Sequence, residues 1–287
     1  MNPGFEEDAS ISDNVTSRFM NYYIEGQKYM YDTLGISGLY YDGFNAELFI
    51  QKRIRRMSSK YNAMFDVHGR AFQNTELLPF VDFMWTCEGI DFTKGPDYWL
   101  VSIASIPFGV FGEMLGADNT APVPGTFCGE SCAEKHRGML FGMSNRAGWT
   151  GVDPNDNSGL WKLWDSFGIA DADMLGWWNR SSPVAIDASS GVYATAYVKH
   201  GDETLIAIAS WNVDAVNVTV SIDWNAIGLG EATKKRVYAP ILPSFNNGNS
   251  QEVDFPIEDC GGITINVPAL RGWLLVASSS SHAKEIM

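Results

Sequence analysis

Apolar residues in the first half of the chain fall into short unbroken runs, not into a clean alternation. The runs sit in ISGLYYDG, AMFDVHG, TELLPFVDFMWTCEG, DYWLVSIASIPFGVFGEML and RGMLFGMSNRAGW. Strands buried on both faces look like this, and parallel strands enclosed by helices are the usual case. Helical spacing appears between them. Phe19, Tyr22, Tyr23, Met30 and Leu34 mark a helix over 14–33 that Gly35 stops. Ile50, Ile54 and Met57 lie at i, i+4, i+7 behind Asn45, a residue suited to an N-cap. GLWKLWDSFGI closes the series as a further helix. This rhythm predicts part of a (β/α) TIM-type barrel over 1–184, with about five of the eight strands that a complete barrel has.

From residue 185 the period changes to two. GVYATAYVK and ETLIAIASW flank the turn HGDE as a hairpin, and AVNVTVSID alternates valine with Asn217, Thr219 and Ser221. KRVYAP, EVDFPI, GITINV and RGWLLVA complete a set of seven short strands. Seven strands with turn signals between them predict an antiparallel β-sandwich over 185–278, followed by a disordered tail at 279–287.

Charge and composition narrow the function. The net charge of −14 opposes binding to a phosphate backbone, so nucleic acid is excluded as a partner. No apolar run approaches the roughly 18 residues of a membrane span. The acidic start, MNPGFEEDASISDN, is no signal peptide, so a secreted or lumenal location would need a leader on a longer protein. Asn14, Asn179 and Asn217 head Asn-X-Ser/Thr triplets that permit such a location. Aromatic residues make up 13% of the chain, with 10 Trp and 11 Tyr, whose flat faces pack in cores and also stack on sugar rings. Four cysteines are too few for a disulfide scaffold. Cys128 and Cys132 are close enough for a local disulfide, or for a metal site with His136 that lacks a visible fourth ligand. No cofactor is expected.

Polar residues collect where each apolar run ends, and in a barrel that edge carries the chemistry. Glycosidic cleavage uses two carboxyl groups flanking the bond, one to protonate the leaving oxygen and one to attack carbon or activate water. They must come from different strands. Asp42, at the end of GLYYDG, is the candidate nucleophile or base. Glu88, beyond Trp85 and Cys87, is the candidate acid, since apolar surroundings hold a carboxyl protonated. Asp66 and His68 are candidates for binding sugar hydroxyls or orienting Asp42, and Asp91 and Glu113 for further hydroxyl contacts. Trp85, Tyr41, Tyr98 and Trp149 are candidate stacking platforms. Each has a plainer reading as well: Asp42 as a turn residue before Gly43, the aromatics as core.

The stretches GLYYDGF, FDVHG, FMWTCEGIDF, PDYWLVSIASIPFGVFGEML, RGMLFGMSNR, LWKLWDSFGI and WWNRSSPV resemble glycoside hydrolase family 123-like proteins, including a related group first described as a domain of unknown function. The resemblance implies a (β/α)8 catalytic barrel flanked by β-sandwich domains and a carbohydrate substrate. By analogy with related retaining glycosidases it puts a nucleophilic Asp on the fourth strand and the acid two strands later, a placement that Asp42 and Glu88 fit. Strands one to three would then come from another segment. Characterised members of the family act on N-acetylgalactosaminides through a neighbouring Asp-Glu pair and the substrate's own acetamide. Here Asp42 is followed by Gly43, a departure from that pattern. Two other readings stay open: a non-catalytic carbohydrate-binding relic of such an enzyme, and a metal-dependent hydrolase using Asp66, His68 and Glu88.

Overall fold

A computed structural model describes residues 17–41, 48–69, 75–85, 93–112, 114–115, 133–145, 158–243 and 245–279. The chain divides into two compact units, Met1–Trp85 with Ser105–Gly112 and Thr86–Ala104 with Glu113–Met287.

The first unit begins with helix α1 (Arg18–Leu34). Ser17 caps it by accepting from the Met20 N–H at 3.0 Å, and Gly35 ends it in the left-handed region at φ 64°. Strand β1 (Gly38–Tyr41) follows, then α2 (Leu48–Ser58), β2 (Met64–His68), β3 (Phe83–Trp85) and β4 (Phe111–Gly112). The four strands pair in parallel in the order β1-β2-β3-β4, and among the described residues this sheet is open, not a closed barrel. Ile50, Ile54 and Met57 of α2 pack against Tyr41, Phe65, Val67 and Met84 as their spacing predicts. In α1 the buried stripe is Ile24, Gln27 and Tyr31, whereas Phe19, Tyr22, Tyr23 and Leu34 face outward. Helical period locates a stripe only up to a rotation, and here the packed side is the one nearer α2 and β1.

One ion pair ties this unit together. The Arg55 guanidinium donates to both oxygens of Asp82, at 2.7 and 2.8 Å, and the Phe65 N–H donates to the same carboxylate at 2.8 Å. Burial works against the charged carboxylate, but the Arg55 and Phe65 hydrogen bonds outweigh it and hold the Asp82 pKa below its ordinary value. Asp82→Asn is expected to cost about 1–3 kcal/mol at neutral pH in urea unfolding. A carboxylate depressed in the folded state stabilises above its unfolded pKa, about 3.9, and loses that contribution as pH falls through the lower folded value. The gap between parent and variant therefore closes below about pH 4; a gap that stays constant down to about pH 3 would rule the pair out as the cause.

In the second unit, helix α3 (Pro96–Tyr98) passes directly into a π-helical turn, Trp99–Ile103. The sequence pattern predicts a strand somewhere in DYWLVSIASIPFGVFGEML, and the WLVSI part is helical instead. Pro96 at the first helical position fixes φ for a helix, and Trp99 and Ile103, at i and i+4, are both fully buried. Strand residues appear only later in that stretch, at Phe111–Gly112 and at β5 (Met114–Leu115), which pairs in parallel with β6 (Ser144–Asn145). Helix α4 (Ala133–Met139) precedes β6, and α5 (Ser158–Phe167) follows it.

The predicted alternating strands form two antiparallel sheets. Strands β7 (Asp173–Leu175), β9 (Val192–Val198), β10 (Glu203–Ser210), β12 (Lys235–Ala239), β13 (Val253–Phe255) and β15 (Gly272–Ser279) build a sheet of order β13-β12-β15-β10-β9-β7. Strands β8 (Val184–Ala185), β11 (Val216–Ile222) and β14 (Ile263–Val267) build one of order β14-β11-β8. β7, which precedes residue 185, and β8, which begins at Val184, thus enter these sheets. One apolar core takes residues from both, among them Ala196, Ile208, Leu275, Val220 and Ile265. Burial strictly alternates in β11 and β14, but β9, β10 and β15 are buried on both faces. The reason is α4, which lies on the second face: Thr195 Oγ1 donates to the Leu140 carbonyl at 2.8 Å and Tyr197 Oη to that of Met139 at 2.5 Å. The polar residues of those strands meet a helix terminus where the pattern predicts water.

Candidate active site at the carboxyl edge of the parallel sheet

Because β1, β2 and β3 run the same way, their carboxyl ends lie along one edge. Register sorts their side chains between the two faces. Tyr40 is level with Asp66, and Asp66 with Phe83; two residues on, His68 is level with Trp85. In-register residues of neighbouring strands share a face, and alternate residues return to it. Tyr40, Asp66, His68, Phe83 and Trp85 are therefore on one side of the sheet. Tyr41, Val67 and Met84, also level with one another, are on the other, in the core with Ile50, Ile54 and Met57 of α2.

On the Asp66 side the end of the sheet is aromatic with polar groups set into it. The Trp85 ring centroid is 5.2 Å from that of Tyr40 and 6.3 Å from that of His68. The Gly69 N–H donates to the Trp85 carbonyl at 3.3 Å, which keeps β2 and β3 paired to their last residues. Asp66 lies two positions back along β2, half-buried, with Oδ1 shielded from water. An aromatic surface beside a carboxylate and an imidazole can stack on a sugar ring while binding its hydroxyls.

Tyr41 occupies different surroundings from these. Its ring stacks on Phe65 at 5.2 Å with 12° between planes, it is 6% exposed, and burial pushes its phenol pKa far above the ordinary value. Tyr40, 42% exposed and tilted against Trp85, is the tyrosine on the Asp66 face. Sequence reading passed over Tyr40. The signal was available in the period of two, because Tyr40, not Tyr41, shares the parity of Asp42. Tyr98 closes α3 in the second unit, partly buried.

Asp42, Glu88, Asp91 and Glu113 lie outside the described residues, as do Trp149, Asn45, Cys87, Cys128 and Cys132. Asp42 directly follows the last residue of β1, and Glu88 comes three residues after the end of β3. His136 is buried on α4, where Nε2 donates to the Phe245 carbonyl oxygen at 2.9 Å. Cys260 is a free, exposed thiol. Among the described residues no helix is long and apolar enough to cross a membrane.

Comparison with known proteins gives a consistent result. The family description "Glycoside hydrolase 123, TIM-barrel domain" matches residues 2–148, and "Glycoside hydrolase 123, C-terminal domain" matches residues 156–278. No curated protein matches the chain. Among solved structures, a noncanonic maltogenic alpha-amylase from Thermotoga neapolitana superimposes with a TM-score of 0.59 at 13% identity, covering 93% of this chain and 67% of its own. A GH27 β-L-arabinopyranosidase from Geobacillus stearothermophilus gives 0.52 at 10%, covering 91% and 62%. A glycoside hydrolase family 30 subfamily 8 xylanase from Clostridium acetobutylicum gives 0.51 at 12%, covering 90% and 72%. At these identities the likeness is one of fold, and the chain spans only about two thirds of the length of these structures.

Proposed function

The chain belongs to glycoside hydrolase family 123, and from that membership we propose that it hydrolyses an O-glycosidic bond of a glycan or glycoconjugate at the carboxyl edge of β1–β3. The observation that carries this reading is the shared face of Tyr40, Asp66, His68 and Trp85 at the edge where the chain runs on to Asp42 and Glu88. In this reading the architecture is a partial (β/α) barrel followed by a β-sandwich. Asp42 is the nucleophile and Glu88 the acid/base. A retaining pair of carboxyl groups stands roughly 5–5.5 Å apart. Asp66 and His68 bind hydroxyls, Trp85 and Tyr40 stack on the ring, and Asp91 and Glu113 add hydroxyl contacts. The geometry of β1, β2 and β3 supports these binding roles through the approach of Tyr40 and His68 to Trp85.

The test is turnover of an aryl glycoside panel by the full chain, with the first-formed sugar followed by proton NMR. Release of the aryl group with retained anomeric configuration is the expected result. Inversion would remove the nucleophile role from Asp42. Binding of the panel without any release would leave a carbohydrate-binding protein in place of an enzyme.

A further inference from the structure

The second unit contains a cleft of about 350 Å³ that the strand-edge reading does not use. We propose that this cleft is a second carbohydrate-binding site, which takes a neutral pyranose ring against Trp177 and Tyr193 and within reach of Asp97, Asn179 and Arg180, all of which line it. Its volume falls at the small end of ligand pockets, about 300–1,000 Å³, the scale of one or two sugar rings.

The aromatic wall is held in place by a closed circuit of six rings. Trp177 contacts Trp178 at 5.8 Å between centroids, Trp178 stacks on Phe141 at 5.4 Å, and Phe141 on Trp99 at 6.1 Å. Trp99 meets Trp211 edge-on at 6.1 Å, Trp211 meets Tyr193 at 5.5 Å, and Tyr193 returns to Trp177 at 4.8 Å. The buried Arg137 guanidinium lies 4.6 Å over the Trp211 ring, and Trp211 Nε1 donates to the Lys94 carbonyl at 2.8 Å. Edge-to-face and offset pairs at these distances favour fixed ring orientations. Trp177 and Tyr193 are therefore pre-positioned, so a ligand that stacks on them costs little ordering entropy.

The polar side supplies complementary hydrogen-bonding groups. Asp97 and Arg180 are exposed, and among the described residues neither side chain has an ion-pair partner. Asn179 Oδ1 accepts from the Ser181 N–H at 2.9 Å, which turns its amide nitrogen into the available group. The three offer a carboxylate that only accepts, a guanidinium that only donates and an amide donor. Vicinal hydroxyls both donate and accept, so one sugar ring satisfies all three at once. The opposite charges of Asp97 and Arg180 cancel, which favours a neutral ring over a uronate. WWNRSSPV, singled out in the sequence without a role, carries three of the five residues.

The test uses the full chain from a bacterial host, so that Asn179 carries no glycan, with Asp42→Asn and Trp85→Ala introduced to suppress the strand-edge site. Methyl pyranosides of the gluco, galacto, manno and N-acetylated series, and methyl glucuronide, are titrated by saturation-transfer NMR and tryptophan fluorescence. At least one neutral pyranoside is expected to bind, and Arg180→Ala with Asp97→Ala, both surface changes, should weaken it by about tenfold or more. Failure of every neutral probe to bind, binding of the glucuronide alone, or binding indifferent to the Arg180 and Asp97 changes would each overturn the proposal. Since the strand-edge residues are already replaced, none of these outcomes bears on the hydrolase reading.

Discussion

Asp42→Asn lowers kcat/KM by about 10³-fold or more on every aryl glycoside, and Glu88→Gln does so on a phenyl glycoside, with thermal unfolding unchanged. The two losses differ in character because the groups do different work. A nucleophile is needed for every substrate, so Asp42→Asn suppresses hydrolysis whatever the leaving group. An acid is needed in proportion to the basicity of the leaving oxygen. Glu88→Gln should therefore spare formation of the glycosyl-enzyme from a dinitrophenyl glycoside and slow it severely from a simple phenyl or alkyl glycoside. Added azide should restore turnover to the acid/base variant by attacking an intermediate that needs no general base. Equal residual rates in parent and both variants would end the assignment. A leaving-group dependence that appears with Asp42→Asn instead would exchange the two roles.

The largest stability effect is expected at Asn246. Its Nδ2 donates to the carbonyls of Pro240 at 2.9 Å and Leu274 at 3.0 Å, and its Oδ1 accepts from the Leu274 N–H at 2.9 Å. At 1% exposure no water substitutes for these partners. The side chain fastens the 240–249 turn to β15, and the same turn meets α4 through the Phe245 carbonyl and His136. Asn246→Asp keeps the shape but sets a carboxylate oxygen against two carbonyl oxygens. The lost donors and the buried charge together should cost about 3–5 kcal/mol. In a unit of this size that lowers the unfolding temperature by about 10 °C by calorimetry. Asn225→Asp, an exposed control, should stay within about 0.5 kcal/mol. A shift at Asn246 no larger than the control would mean that the turn is held by other contacts.

Both predictions rest on groups that the sequence displays unequally. Asp42 and Glu88 stand out because each follows an apolar run, a local feature. Asn246 does not: nothing in PSFNNGNS separates it from Asn247 or Asn249. Its importance comes from Leu274, 28 residues away, and hydrogen bonds of that separation leave no local periodicity. The same holds for Asp82, whose partner Arg55 is one of several basic residues on α2.

Sequence alone determined the elements whose causes are local. The end of α1 at Gly35, the core stripe of α2, the strands GLYY, MFDVH and FMW, and the hairpin between β9 and β10 all follow from period, turn chemistry and caps, which act within a few residues. Only the tertiary structure decided which face of each element is used. It turned Tyr41 toward the helices and Tyr40 toward Asp66 and Trp85, covered the second face of β9 and β10 with α4, and made a helix of WLVSI. It also joined Trp99, Phe141, Trp177, Trp178, Tyr193 and Trp211 into one circuit from five separate stretches of chain. The physical reason is the same in each case. A strand or helix pattern fixes which residues lie together on a face, while register and packing against distant segments fix what that face meets.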